Sequence, residues 1–331
     1  MKKPFVLACA LALVLGGCAK STDTSTTSTT SNTTTVASPG ATAAAQSSAS
    51  GAKTIGVSIQ DREAQFYQDM EGGLKSEAAK YGYTVVVVDA ARDSAKQQSQ
   101  VEDFISQKVA AIVLTPFDSQ AIGSAIVEAN KAGVPVFTAD VASSAKDGKV
   151  VSHIASDNIQ GGAQAGQLMC AALPGHAGTI AIIDEPDKTS VQDRVKGFRQ
   201  SIAANCPGVT IVADVDGGGQ RAKASSSMED ILQSHKDLKG VFGINDDSAL
   251  GAAKAVQAAG KQGKVVVIGY DAAPEARTAI AKGMMYGDAI QHPDQIGSKT
   301  IDAIHDYFGG KTPPAKISVA VGTFTKADAG K

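Results

Sequence analysis

The sequence predicts an α/β fold built of two doubly wound parallel-sheet units, and three observations carry that prediction. From Lys53 onward, short β-branched runs alternate with Ala-rich amphipathic stretches, the pattern of repeated βαβ units. The alternation runs through two successive series. A polar residue closes several of the strand-like runs: Asp140 in the first series, and Asp184, Asn245 and Asp271 in the second.

In the first series the runs at 54–58, 84–89, 111–115 and 134–139 are short and rich in Val, Ile and Thr, so they read as strands. Between them, 66–80, 95–107 and 118–132 carry apolar residues at helical spacing. The second series places strands at 179–184, 209–215, 240–244 and 264–270, with helices at 190–204, 222–234 and 248–259. A further strand-like run, 150–156, holds His153, which reads as structural. In open parallel sheets, ligands bind beyond the carboxyl ends of the strands. Two such sheets facing one another would share a cleft lined by the strand-end polar residues. A single Asp or Asn there also reads as a turn former or helix cap; four at equivalent places point to a site.

The N-terminus reads as an export signal. Lys2 and Lys3 precede an apolar run at 5–15 that is too short to span a bilayer. The run ends in Leu15, Gly16, Gly17 and Cys18, which resembles the bacterial lipobox and makes Cys18 the expected lipidated N-terminus after cleavage of 1–17. An ordinary signal peptide with an incidental cysteine is the competing reading. Residues 18–52 are nearly all Ser, Thr, Ala and Gly, too poor in apolar surface to offset the entropy of ordering, and read as a tether.

The remainder, about 280 residues, suffices for two cores of ordinary size. A net charge of -2 favours neither nucleic acid nor an anionic lipid surface. Cys9 leaves with the signal, so Cys170 and Cys206 remain as an even pair in an oxidising compartment. A disulfide is expected; two separately buried thiols are the alternative. No Cys and His cluster has metal-site spacing. Gly217, Gly218 and Gly219 match neither a phosphate-cradling loop nor a dinucleotide fingerprint, and no Ser sits in a Gly-x-Ser-x-Gly elbow. Neither catalysis, a cofactor nor a metal is expected. Carboxylates, amides, Arg and aromatic faces at the cleft suit a sugar or polyol.

Three motifs sharpen this reading. VVSHIASDNIQGG at 150–162, VFGINDDSALGAA at 241–253 and QHPDQIG at 291–297 resemble the ribose-binding protein family, and the resemblance extends over the body from Thr54 to about Lys326. It implies the type I periplasmic binding protein arrangement: two Rossmann-like doubly wound parallel-sheet domains joined by a three-segment hinge, with the last strands exchanged between them. One lobe would comprise 53–156 plus 292–320, the other 157–291 plus 321–331. The implied function is that of an extracytoplasmic solute-binding lipoprotein of an ABC sugar importer. Such a protein is a monomer in the periplasm or at the cell surface that closes on its ligand and delivers it to a membrane permease. A binding protein that signals to a membrane receptor is the alternative. A regulator of similar fold is disfavoured because a lipobox and tether occupy the place of DNA-binding helices.

The resemblance also implies a ligand set. It comprises the aromatic pair Phe66 and Tyr67, the strand-end Asp140, Arg194, Asn245, the pair Tyr270 and Asp271, and the crossover amide Gln291. Each has a bland alternative as core, solvated helix or crossover hydrogen bond. Three positions depart from the family pattern: Ala64 replaces an amide, Val141 an arginine and Gly219 an aromatic ring. These possible pocket positions predict weak ribose binding and room at Gly219 for a bulkier group. The run Asp61, Arg62 and Glu63 reads either as substitute contacts at the mouth or as a solvated loop.

Overall fold

The computed structural model describes residues 53–330, so the expected secretion signal, Cys18 and the expected tether at 18–52 lie outside the described residues. The first series forms β1 (Thr54–Ile59), α1 (Gln65–Lys80), β2 (Thr84–Asp89), α2 (Ser94–Ser106), β3 (Ala111–Leu114), α3 (Gly123–Lys131), β4 (Val136–Ala139) and β5 (Val150–Ser156). The second forms α4 (Asn158–Ala172), β6 (Ala177–Asp184), α5 (Thr189–Asn205), β7 (Gly208–Asp216), α6 (Arg221–Ser234), β8 (Gly240–Gly243), α7 (Asp246–Ala258), β9 (Val266–Asp271), α8 (Pro274–Ala281) and β10 (Gly287–Ile290). The chain then closes with α9 (Pro293–Phe308), β11 (Lys316–Val319) and β12 (Gly322–Thr325).

Two six-stranded sheets result, ordered β11-β5-β4-β3-β1-β2 and β12-β10-β9-β8-β6-β7. Leaving out the last strand of each, both follow one parallel order, the flavodoxin-like doubly wound pattern, with the order reversing at the first strand of each series. The fully buried faces of β3, β4 and β8 explain their unbroken apolar runs. β11 extends β5 in parallel, whereas β12 pairs antiparallel with β10. The chain therefore passes between the sheets three times, after β5, β10 and β11.

Local chemistry sets the boundaries. Asp93 caps α2 by accepting from the backbone N–H groups of Ala95 and Lys96, and Asp157 caps α4 by accepting from Gln160. α3 begins at Gly123, later than the expected 118, because the Asp118 carboxylate accepts from the N–H groups of Gln120 and Ala121 and holds a turn. His153 is half-buried, pairs through Nδ1 with the Thr138 hydroxyl at 2.9 Å, and is pushed by desolvation down to about 4, so it stays neutral in the sheet.

α4 and α5 touch backbone to backbone. A Cβ on Gly162 would stand 2.0 Å from the Arg194 carbonyl oxygen, and one on Gly197 would stand 2.1 Å from that of Ile159. Only glycine permits this approach. A disulfide between Cys170 and Cys206, with Cα atoms 5.8 Å apart, ties the C-terminal ends of the same two helices. For a sequence separation of 36, loop closure alone stabilises by about 4 kcal/mol.

Candidate functional site

A cavity of about 360 Å³ lies between the carboxyl ends of the two sheets. The first sheet supplies Gln60 beyond β1, Arg92 beyond β2 and Asp140 beyond β4. The second supplies Glu185 beyond β6, Asn245 beyond β8 and Asp271 at the end of β9. Two of these acids occupy backbone conformations that L-residues rarely adopt, with φ of 63° at Asp140 and 118° at Asp271. Such strain costs about 1–3 kcal/mol per residue and persists only where the surroundings over-determine it. At Asp140 the N–H group is held by the Ile154 carbonyl at 2.8 Å.

Asp140, itself buried, accepts a hydrogen bond from the Tyr67 hydroxyl at 2.9 Å. Gln60 donates to the same hydroxyl. Burial and the adjacent Asp140 raise the Tyr67 hydroxyl, which therefore remains a proton donor. Phe66 meets Tyr67 edge to face at 5.1 Å, and both line the cavity.

Arg194 rises from α5 into the cavity wall. Its Nε donates to Asn158 Oδ1 at 2.8 Å, its Nη1 donates to the Ile244 carbonyl at 2.9 Å, and its guanidinium lies 4.1 Å from the Tyr270 ring centroid. This leaves Nη2 toward Asp140, at 3.9 Å. On the far side Gln291 donates to Asp271 at 2.6 Å, while Gln291 Oε1 is buried without a partner. Asn245 caps α7 through Ser248 and donates to the Gly219 carbonyl, so its site role and its cap role coincide.

Phe66, Tyr67, Asp140, Arg194, Asn245, Asp271 and Gln291 thus surround one cavity, and Ala64 and Gly219 border it. Four expectations fall out differently. Tyr270 does not line the cavity; it is fully buried behind Arg194 and supports it from beneath. Val141 is likewise fully buried outside the lining, because its N–H turns back to the Ala139 carbonyl. Asp184 is not in the lining either, since its carboxylate accepts from the Glu185 N–H at 2.7 Å. The room expected at Gly219 is already filled: a Cβ there would stand 2.4 Å from Glu185 Oε2.

Glu185 belongs to a charged group that pattern reading missed. Arg92 donates to Glu185 at 2.6 Å, to Asp61 at 3.2 Å and to the Gly218 carbonyl; Lys188 donates to the same Glu185 oxygen at 2.6 Å. Asp61 of the mouth run is thus an ion-pair partner of Arg92 on its own side, and the Arg92–Glu185 pair is the one that spans the cleft. Further contacts bridge the two sides. Ala142 N–H donates to the Thr189 hydroxyl at 3.0 Å, and Ser119 N–H to the Asp187 carbonyl at 3.2 Å. The only sequence signal for Glu185 was its place one residue past a strand end; Arg92 had none.

At the base of the cavity, Asp246 and Asp271 of its lining converge with the buried Asp288. Burial first, then the neighbouring carboxylates, holds Asp246 well above the usual range; burial pushes Asp271 up to about 6 and Asp288 up to about 7.

A family model described as a periplasmic binding protein domain matches residues 55–312. The chain is similar to the ribose import binding protein RbsB of Bacillus subtilis, with 37% identity over 278 residues that cover 83% of this chain and 88% of that one. It is also similar to the ribose import binding protein RbsB of Escherichia coli, at 33% identity over 273 residues, covering 82% and 90%. Among solved structures it resembles an ABC transporter solute binding protein from Bacillus halodurans with bound myo-inositol. That match has a TM-score of 0.78 and 29% identity, covering 85% of this chain and 97% of the other.

Proposed function

Since this chain belongs to the periplasmic binding protein family of non-enzymatic, extracytoplasmic solute-binding components, we propose that it binds a monosaccharide or polyol by hinge closure and hands it to an ABC permease. The observation that carries this reading is the convergence of Asp140 from one sheet with Arg194, Asn245 and Asp271 from the other on a single cavity. Its volume of about 360 Å³ lies at the small end of ligand pockets, which run from about 300 to 1,000 Å³. Phe66 offers an apolar face for ring C–H groups, and the surrounding acids and amides orient hydroxyls. The three passages between sheets, after 156, 290 and 319, form the hinge. A ligand shifts it toward closure only through contacts made to both sides at once.

The test is a thermal-shift screen over pentoses, hexoses, polyols and disaccharides. A true ligand at one hundred times its Kd adds about 2.7 kcal/mol of stability, a rise of roughly 5 °C or more for a body of this size. Ribose should rank below the best hit. If no sugar or polyol raises the melting temperature, the reading fails.

The same proposal places the protein on a membrane through a lipid at Cys18. Supporting it are Lys2, Lys3, the short apolar run and the small residues before Cys18. Labelled palmitate should enter the wild-type chain and not a Cys18→Ser variant; equal labelling of both would remove the anchor.

A further inference from the structure

We infer that the ligand carries a protonated amine, a sugar or polyol whose ammonium group sits between Asp140 and Asp271. This rests on the reading of the cavity as a polyol site and narrows its substrate class.

The argument begins with what the two carboxylates receive. Asp140 accepts from the Tyr67 hydroxyl and Asp271 from the Gln291 amide, both neutral donors. The basic group nearest to them, Arg194, spends Nε on Asn158 and Nη1 on a backbone carbonyl, and its Nη2 stays 3.9 Å from Asp140, beyond hydrogen-bond reach. The residue after Asp140 is Val141, which brings no second cation. Asp140 Oδ1 is consequently buried in the cavity wall with no hydrogen-bond partner, on a residue only 3% exposed.

The other charges do not repair this deficit. Arg92 and Lys188 are tied to Asp61 and Glu185 in a group that is already balanced. At the rim, Arg221 is shared by Asp247 and Glu275. The half of the cavity that holds Asp140 and Asp271, with Asp246 beside the latter, therefore has three carboxyl groups against one guanidinium. Burial raises both Asp140 and Asp271, more than Arg194 opposes it, so their charged forms lack full compensation. A ligand ammonium supplies it with three directed donors, and charge-assisted hydrogen bonds are about twice as strong as neutral ones. A metal ion is a poor alternative, since among the described residues no three His, Cys, Asp or Glu side chains form a metal-holding group.

Matched pairs test the inference by calorimetry at pH 7: glucosamine against glucose, galactosamine against galactose, and an amino-inositol against myo-inositol. At least one amine should bind tenfold or more tightly than its hydroxyl partner, and its N-acetyl derivative should lose the advantage. Raising the pH above the amine's own pKa should abolish the preference in the unaltered protein. In Asp140→Asn the ratio of amine to hydroxyl affinity should collapse, whatever the absolute affinities. If the hydroxyl members bind as tightly as the amines, the amine inference is overturned while the polyol site stands. If no member of any pair binds, both fall.

Discussion

An Arg194→Ala variant is expected to bind the best neutral polyol of the screen thirtyfold to several thousandfold more weakly, a loss of roughly 2–5 kcal/mol. Arg194 is the guanidinium that borders the ring half of the cavity, and it is held there by Asn158, the Ile244 carbonyl and the Tyr270 ring. Its removal takes away the free Nη2 donor and the nearest positive charge to Asp140 and Asp271, leaving Asp140 only the more distant Lys188, which Glu185 already holds. One of them then takes up a proton more readily and ceases to act as a full acceptor. Arg194→Lys should give an intermediate loss, because a single ammonium cannot reach Asn158 and Ile244 while also facing the ligand. The measurement is calorimetry on protein shown by its melting curve to be folded. A folded Ala variant with unchanged affinity would exclude Arg194 from the site.

Raising the pH from 5 to 8 is expected to lower the stability of the body, and Asp288→Asn to remove much of that fall. Asp288 is fully buried on β10; Asp246 and Asp271 face it, and Arg277 is the cation that acts on it. Burial raises its folded pKa to about 7 from an unfolded value of 3.8. The folded chain therefore holds a proton that the unfolded chain releases. The stabilisation is complete below about pH 4 and is lost as pH rises through about 7. Such a shift corresponds to an order of magnitude of 2–4 kcal/mol, shared with the raised Asp246 and Asp271. The Asn variant should melt higher than wild type at pH 8 and nearly the same at pH 5. A pH-independent difference, or a loss of stability at pH 8, would disprove the assignment.

Local sequence determined the architecture because β-branched runs and amphipathic spacing report backbone preference directly. β2 was expected over 84–89 and spans Thr84–Asp89. Helices α1, α2, α5, α6 and α7 start and stop within two residues of the pattern. α4 was invisible to periodicity for a physical reason: Gly161, Gly162 and Gly166 occupy the positions where apolar side chains would signal a buried face; Gly162 and Gly166 serve the close contact with α5 instead, and Gly161 the contact with the Tyr270 ring. The ends of the strands were legible as polar positions, and Asp140, Asn245 and Asp271 do meet at one cavity.

What those residues do could not be read from the chain. Asp184 and Asp140 both end strands, yet one accepts from its neighbour's N–H while the other turns, at φ 63°, into the cavity. Tyr270 reads as a member of the ligand set and acts as a platform beneath Arg194. The replacement of a ring by Gly219 reads as empty space, but Glu185 fills it, drawn there by Arg92, which is 93 residues away. Sequence by itself determined the two sheets, the strand-end location of the site and its polar character, because these follow from local preference and spacing. Only the tertiary structure decided which carboxylates lack a cation, since charge balance depends on distances between groups that the chain brings together from both sheets.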